Sequence, residues 1–191
     1  MIFILLIANG LVFVLQQFSG NFMMAYFALW PVDAPYFWPW QLLTYGFMHS
    51  PSALTHILFN MLMLWMFGRE LERMMGPKRF LTYYLTCVVG AGIVQLIVAG
   101  FQGSFHPTVG ASGGVFGILL AYGMAFPNRK IMLMFPPIPM KAKYMVILFG
   151  LLELYMGISG GAPGVANFAH LGGMLFGFLL LRYWTKPRRR G

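Results

Sequence analysis

Charged side chains are scarce in this sequence. Lys, Arg, Asp and Glu together make up 9% of the 191 residues, whereas hydrophobic residues make up 59%. Soluble domains carry roughly 25% charged residues, so the composition excludes an ordinary water-soluble domain. It predicts a polytopic membrane protein instead, and several membrane spans leave no room for a separate soluble domain in a chain of this length. We therefore expect one membrane-embedded domain over residues 1–191.

Cysteine is almost absent as well. The single cysteine, Cys87, lies inside an apolar run, so neither a disulfide framework nor a thiolate metal cluster is available. We interpret Cys87 as a packing residue. Asp and Glu number four in total, and His56 has no second ligand at a suitable spacing. We therefore expect no metal site and no cofactor.

Uncharged apolar stretches predict six helices. They cover Ile2 to Phe18, Thr55 to about Leu71, Phe80 to Phe101, Gly113 to Phe126, Tyr144 to Ile158, and Ala166 to Trp184. The predicted fold class is an all-α membrane protein with six transmembrane helices. The first stretch has no basic residues before it and no convincing small-residue cleavage site after it, so we expect a retained span rather than a signal peptide.

The fourth predicted helix is unusually short. Pro107 and Pro127 frame it, and its roughly 14 residues cover about 21 Å at 1.5 Å per residue. A hydrocarbon core is about 30 Å thick, so one end of this helix must lie below the membrane surface. Ser112 stands at one of its ends.

Basic residues are missing from the connections after the first, third and fifth helices. All 13 Lys and Arg residues fall after the second, fourth and sixth helices, so the positive-inside rule places both chain termini in the cytoplasm. We expect these side chains to contact anionic lipid on that side; nucleic-acid binding by the tail from Lys186 to Arg190 is a minor alternative. The three groups are Arg69, Arg73, Lys78 and Arg79; Arg129, Lys130, Lys141 and Lys143; and Arg182, Lys186, Arg188, Arg189 and Arg190.

The connection between the first two helices, about residues 19–52, is too long for a plain loop. It contains Trp30, Trp38 and Trp40 beside several prolines. Tryptophan favours the headgroup level of a bilayer, so we expect this loop to lie partly in the membrane interface. Simple anchoring explains the pattern, and a role in shaping access to an internal site is the alternative.

Ser112 lies in a glycine-rich string, Gly110-Ala111-Ser112-Gly113-Gly114, that opens the fourth helix. The backbone N–H of a residue at a helix N-terminus is unpaired within the helix, and such a donor stabilises a developing oxyanion. One residue could therefore supply both a nucleophile and part of an oxyanion hole. The string also matches the nucleophile elbow of soluble hydrolases, but an elbow needs a preceding strand. Helix packing is the alternative explanation for the glycines.

His170 opens the sixth helix, which shares a small-residue spacing with the fourth. Gly113, Gly117 and Ala121 recur every four residues, as do Ala169, Gly173 and Gly177. Small residues at this spacing let membrane helices approach closely. If the two faces meet, Ser112 and His170 lie at the same end of the contact, where a hydrogen bond between them is geometrically plausible. A structural histidine is the alternative for His170.

The second helix carries His56 and Asn60, four residues apart and so on one face. Both lie near its outer end and could aim donors at an oxyanion. Hydrogen bonding between helices is the alternative. His49 and His106 lie on outer loops, and we interpret them as interfacial or loop residues.

The acids suggest a serine–histidine dyad. None of Asp33, Glu70, Glu72 and Glu153 lies beside His170 in sequence, so no obvious carboxylate orients the histidine. A dyad suffices if packing holds the imidazole in its tautomer. We interpret Glu153, inside the fifth helix, as a buried hydrogen-bonded acid, with a gating or proton-handling role as the alternative.

These motifs, in this order and topology, resemble the rhomboid intramembrane serine proteases in their minimal bacterial six-helix form. The resemblance covers nearly the whole chain. The matching pieces are Trp40-Gln41-Leu42-Leu43-Thr44, His56-Ile57-Leu58-Phe59-Asn60, Gly110-Ala111-Ser112-Gly113, and Ala169-His170-Leu171-Gly172-Gly173 with Gly177.

The resemblance implies a residue-by-residue assignment. Ser112 would be the nucleophile and His170 the general base, His56 and Asn60 would help to form the oxyanion hole, and Glu72 would brace the cytoplasmic end of the second helix. The residues expected to support the site are Gly110, Gly113, Phe116, Gly173 and Gly177. Some family members have a tyrosine at the position of Phe116, and phenylalanine keeps its ring.

The implied activity is peptide-bond hydrolysis in single-pass or other transmembrane substrates, near the outer face of the cell membrane. By resemblance, small residues at the cleavage point and helix-weakening residues below it would be preferred. A catalytically inactive rhomboid-like protein that binds membrane clients is one alternative. A small transporter is another, although no inverted repeat supports it.

Overall fold

The computed structural model describes residues 1–19, 21–132, 137–161 and 164–185, and the fold is mostly helical. The tail from Lys186 to Arg190, for which we considered lipid and nucleic-acid contacts, lies outside the described residues. The elements are α1 (Ile2–Phe18), α2 (Asn21–Phe27), α3 (Gln41–Thr44), α4 (Leu54–Met75), α5 (Pro77–Gln102), α6 (Ser112–Ala125), β1 (Lys130–Met132), β2 (Pro139–Lys141), α7 (Ala142–Ser159) and α8 (Asn167–Thr185).

Each of the six predicted helical segments coincides with a helix, namely α1, α4, α5, α6, α7 and α8. The ends differ by a few residues; α4, for example, runs on to Met75 where the prediction stopped near Leu71. It ends there because Gly76 has a φ of +82°, and Pro77 then occupies the first turn of α5. Two described helices, α5 and α7, are long and apolar enough to cross a membrane, while α1 and α6 are shorter apolar helices.

The fold differs from an all-α expectation at one point. Strands β1 and β2 pair antiparallel, with Lys130 opposite Lys141, in the connection between α6 and α7. This connection carries three basic residues, Arg129, Lys130 and Lys141. Strands of three residues do not show a period in the sequence, which is why the pattern of apolar residues did not reveal them.

The long first connection contains ordered elements. It holds α2, α3 and a 3₁₀ turn at Tyr45–Phe47. Buried Gln41 organises it, since its side chain donates to the carbonyl of Tyr36 over 2.8 Å and accepts from the N–H of Trp30 over 3.2 Å. Tyr45 then donates its hydroxyl to the carbonyl of Val88 in α5 over 2.7 Å, which fastens the loop to the helical core.

Helices α5, α6 and α8 pack closely against one another, and glycine makes this contact possible. A Cβ atom at Gly173 of α8 would lie 1.9 Å from the carbonyl oxygen of Gly113 in α6. The two backbones therefore touch directly, as close small-residue packing requires. Gly177, predicted to face α6 as well, lies against Tyr83 and Cys87 of α5 instead. Cys87 is buried in this contact as a free thiol.

The described basic residues gather at one end of the bundle. Arg129 pairs with Glu70 at the end of α4, and the Arg79 guanidinium lies 5.7 Å from the ring centre of Trp184 near the end of α8. Glu72, at the same end, accepts from the backbone N–H of Ile2 over 3.0 Å and so joins α1 to α4. Helices α6 and α8 begin at the opposite end, which is where the candidate site lies.

Candidate active site

Ser112 and His170 are hydrogen-bonded to each other. The Ser112 Oγ and His170 Nε2 atoms are 2.8 Å apart, although the residues are 58 positions apart in the chain. Each is held at the start of its helix, and the Gly113–Gly173 contact sets the distance between those helices. At this distance a proton can pass from the hydroxyl to the imidazole, the first requirement of an activated serine.

The imidazole ring of His170 is also fixed in its plane. The Phe116 ring stacks on it with the ring centres 4.3 Å apart and the planes 5° from parallel. Phe116 lies one turn after Ser112 on α6, so the same helix supplies the serine and the surface against which its partner packs. The aromatic ring expected at this position is therefore in contact with the histidine.

His56 lies close to the serine. A Cβ atom at Gly110 would be 3.0 Å from His56 Nε2 and 3.5 Å from Ser112 Oγ, so both side chains border one small space. Gly110 has a φ of +137°, which a residue with a side chain rarely adopts. The His56 Nδ1 atom accepts from the backbone N–H of Ser50 over 3.5 Å. That contact favours the tautomer whose Nε2 carries the proton and can donate it into this space.

Asn60 lies one turn further along α4 and is buried. Its amide donates one hydrogen to the carbonyl of His56 over 2.9 Å, within the same helix. An amide has two hydrogens, so one remains to donate elsewhere. The contribution of Asn60 to an oxyanion hole stays a prediction.

A carboxylate does lie beside the histidine, contrary to the expectation from the sequence. Glu153 Oε2 is 2.8 Å from His170 Nδ1, the nitrogen on the far side of the ring from Ser112. The same oxygen accepts from the side-chain amide of Asn167 over 2.7 Å. Elimination by sequence position failed because α7 and α8 lie side by side, which brings together residues that are 17 positions apart.

The comparison with protein-family models decides what kind of chain this is. The sequence model of the rhomboid domain matches residues 37–186, more than three quarters of the chain and all of the site described above. The chain belongs to the rhomboid family.

Several curated rhomboid relatives are similar over most of the chain. Rhomboid protease GluP of Bacillus subtilis is 38% identical over 141 residues, 73% of this chain and 25% of that protein. Rhomboid protease GlpG of Photorhabdus laumondii is 27% identical over 180 residues, 94% of this chain and 59% of that protein. Rhomboid protein 1, mitochondrial, of Saccharomyces cerevisiae is 32% identical over 146 residues, 74% of this chain and 41% of that protein. The chain therefore spans between a quarter and about three fifths of the length of these relatives.

Two neighbours of the candidate site were not predicted from the sequence. Asn167 precedes His170 by three residues, so the two side chains share a face of α8, and that spacing was the available signal. His49, expected to be interfacial or in a loop, lies on a loop but is fully buried. Its ring centre is 5.1 Å from that of His56, and its backbone N–H and carbonyl both bond to the Gln16 side chain.

The buried environment keeps His49 neutral. Burial, with a smaller contribution from the neighbouring His56 ring, lowers the pKa of His49 from an ordinary value of 6.5 to about 4. A neutral imidazole beside His56 leaves no positive charge from His49 next to the candidate site. Among the described residues, no three His, Cys, Asp or Glu side chains are grouped so that they could hold a metal ion.

Proposed function

We propose that this rhomboid-family protein is an intramembrane serine endopeptidase that cleaves transmembrane segments of membrane-protein substrates. The observation that carries the proposal is the 2.8 Å contact between Ser112 Oγ and His170 Nε2 at the N-terminus of α6. The matched relatives that are named rhomboid proteases support it. The alternative function, that of a catalytically inactive client-binding protein, does not require this contact.

The reaction begins with proton transfer. His170 Nε2 accepts the proton of Ser112 Oγ as the oxygen attacks the carbonyl carbon of the scissile peptide bond. A tetrahedral oxyanion forms. His170 then passes the proton to the nitrogen of the leaving amine, and the carbon–nitrogen bond breaks to leave an acyl-enzyme on Ser112. Water, deprotonated by His170, attacks the acyl carbon and releases the second product.

The oxyanion is stabilised by donors that converge near Ser112. Its own backbone N–H, at the start of α6, is directed out of the helix end. His56 Nε2 lies across the small space next to Gly110, and Asn60 has one amide hydrogen to donate. Removing one such donor typically costs about 10²- to 10³-fold in turnover. No step uses a metal or a cofactor.

The orientation in the membrane follows from the two ends of the bundle. We propose six spans formed by α1, α4, α5, α6, α7 and α8, with both termini in the cytoplasm and the basic end against anionic lipid. Helix α6 measures about 21 Å, so its N-terminus lies below the outer surface, in a pocket that opens outward. The protein would then reside in the cell membrane, as a multi-pass protein.

The position of the site constrains the substrate. A transmembrane helix that reaches Ser112 must unwind locally, because a carbonyl hydrogen-bonded within a helix is not free for attack. Small residues at the cleavage point and helix-weakening residues below it, the preference implied by the family resemblance, fit this requirement. Cleavage would fall near the outer end of the substrate span.

Covalent labelling tests the proposal directly. A fluorophosphonate probe should label the detergent-solubilised protein, and both Ser112→Ala and His170→Ala should abolish labelling while the proteins stay folded by thermal unfolding. His106→Ala is a matched control, because His106 is an exposed loop histidine, and should label like the wild type. A folded wild type that stays unlabelled would overturn the proposal in favour of client binding.

A further inference from the structure

Glu153 is placed where it can control the histidine at the candidate site. Its Oε2 atom lies 2.8 Å from His170 Nδ1, and both side chains are largely buried, with 14% and 10% of their surfaces exposed. An ionisable side chain inside an apolar segment is costly to keep there, so it needs partners. Glu153 has two, His170 and Asn167, and both belong to α8.

The two nitrogens of the His170 ring have different tasks. Nε2 can accept the Ser112 proton only if it carries a lone pair, which requires the neutral ring to carry its hydrogen on Nδ1. A carboxylate at Nδ1 favours that tautomer and stabilises the imidazolium that forms when the serine proton arrives. A ring without this partner is free to adopt the opposite tautomer, which cannot act as a base toward Ser112.

A contact with Asn167 holds the Glu153 carboxylate next to His170 Nδ1. Asn167 donates to the same oxygen that faces the ring, and because Asn167 is on α8, the helix that carries the base also holds its acid. The oxygen lies off the line of the ring N–H. Catalytic hydrogen bonds are often poorly aligned without substrate and tighten as the transition state forms.

We propose that Glu153 is a positioning residue that sets the tautomer and orientation of His170 through Nδ1, so that a third side chain supports the serine–histidine pair without itself taking up the serine proton. This inference rests on the proposed function, since it assigns Glu153 a task only if His170 is the base for Ser112. The opposing interpretation is a purely structural acid that ties α7 to α8 through Asn167.

Kinetics on full-length protein in detergent separate these two roles. Glu153→Gln keeps the size of the side chain and an oxygen that can accept from Asn167, but it presents no carboxylate to the ring. We expect it to lower both kcat on a transmembrane substrate and the rate of fluorophosphonate labelling by about 10²-fold or more, within the range of general-base catalysis. KM and the melting temperature should change little. Glu153→Asp should restore part of kcat, because the charge returns.

The controls distinguish failure of this inference from failure of the proposed function. Tyr155→Phe, on the exposed side of α7, should match the wild type in every measurement. If the wild type reacts and Glu153→Gln reacts equally fast, the positioning role is overturned while the serine protease stands. If the wild type does not react at all, the proposed function fails.

A measurement on the wild type alone covers the case in which the Glu153 variants do not fold. Nitrogen-15 NMR of histidine-labelled protein distinguishes the two imidazole tautomers, and the His170 signal is assigned by its loss in His170→Ala. We expect His170 to be protonated at Nδ1. A neutral ring protonated at Nε2 in the folded enzyme would contradict the positioning role of Glu153.

Discussion

Helices α7 and α8 follow each other in the chain and both reach the candidate site, yet they are held in different ways. The buried residues of α8 run from Asn167 to Gly177, and the glycines among them pack against α5 and α6. Those of α7 are confined to its first two turns, at Ala142, Met145 and Val146. The half of α7 that carries Glu153 exposes most of its large apolar side chains, including Tyr155 and Ile158.

The side chains of the candidate site are therefore held by packing of different tightness. Ser112 and His170 come from helices whose backbones touch. The 2.8 Å hydrogen bond between them is therefore fixed by close packing of the two helices. Glu153 comes from a helix with few core contacts at that level. The Ser112–His170 pair is therefore positioned by the contact between α6 and α8, whereas the position of Glu153, the proposed orienting group, depends on how α7 lies against α8.

The strongest test of this comparison is a methyl group added to each helix. Gly173→Ala should destabilise the protein by about 3 kcal/mol or more and abolish labelling of Ser112, because the new Cβ would lie 1.9 Å from a backbone oxygen of α6 that cannot rotate away. Gly150→Ala on α7 is the matched control. Its Cβ would meet only the end of Met174, at 3.5 Å, so the change should be neutral or slightly stabilising.

Thermal unfolding in detergent and fluorophosphonate labelling of both variants provide the measurement. Equal losses of stability would mean that α7 is packed as tightly as α8. In that case Glu153 would be as firmly fixed as the reacting pair, and the contrast between the two helices would not hold.

The sequence predicted the tightly packed side of this comparison better than the other side. Small residues at a spacing of four marked the faces of α6 and α8, and the approach of Gly113 to Gly173 agrees with that pattern. The spacing identifies a face but not its partner, which is why Gly177 packs on Tyr83 of α5 instead. Helix packing is decided by the whole bundle, and a repeat on one helix cannot specify it.

The orientation of α7 was harder to predict. One acid in an apolar helix indicates a functional residue, but the side on which it lies depends on the connection between α7 and α8. The ordered elements of the first connection were missed for a similar reason. Their positions depend on hydrogen bonds of Gln41 to distant backbone groups. The spacing of apolar residues along the sequence does not reveal such bonds.

The outer loop around His49 is expected to be packed as tightly as the contact between α6 and α8. Folding lowers the pKa of His49 from about 6.5 to about 4, so the unfolded chain binds more protons between these values. Stability should therefore be full above pH 6.5 and should fall as the pH drops toward 4, by up to about 3 kcal/mol.

A variant isolates this contribution. In His49→Gln the fall in unfolding free energy between pH 6.5 and 4 should be shallower than in the wild type, as measured by chemical unfolding at several pH values. The other ionisable groups are the same in both proteins, so the difference between the two profiles reports His49 together with its coupling to the His56 ring. If unfolding free energy falls equally with pH in both proteins, His49 is in contact with water and the loop is packed as loosely as the second half of α7.

A pair of hydroxyl deletions compares α5 in the core with α7. Tyr83 is buried and donates to the carbonyl of Gly117 over 2.7 Å, so Tyr83→Phe should cost about 1 kcal/mol. Tyr155→Phe, on α7 at a residue that is 69% exposed, should cost nothing measurable. The two variants each lack one oxygen atom of the wild type, and their melting temperatures measure what each hydroxyl contributes to stability. A larger decrease for Tyr155→Phe than for Tyr83→Phe would contradict this expectation.

The smallest effect is expected at the basic end, where Arg129 pairs with Glu70 just before the hairpin that leads to α7. The two side chains are 52% and 29% exposed, and exposed ion pairs contribute roughly 0–1 kcal/mol because water and salt screen them. Arg129→Gln should therefore change stability by less than about 1 kcal/mol, and raising the salt concentration should shrink the difference further. Unfolding of both proteins at low and high salt measures this. A larger loss of unfolding free energy that does not depend on salt would show that this pair anchors α7. The first two turns of α7 would then be held by charge as well as by the burial of Ala142, Met145 and Val146.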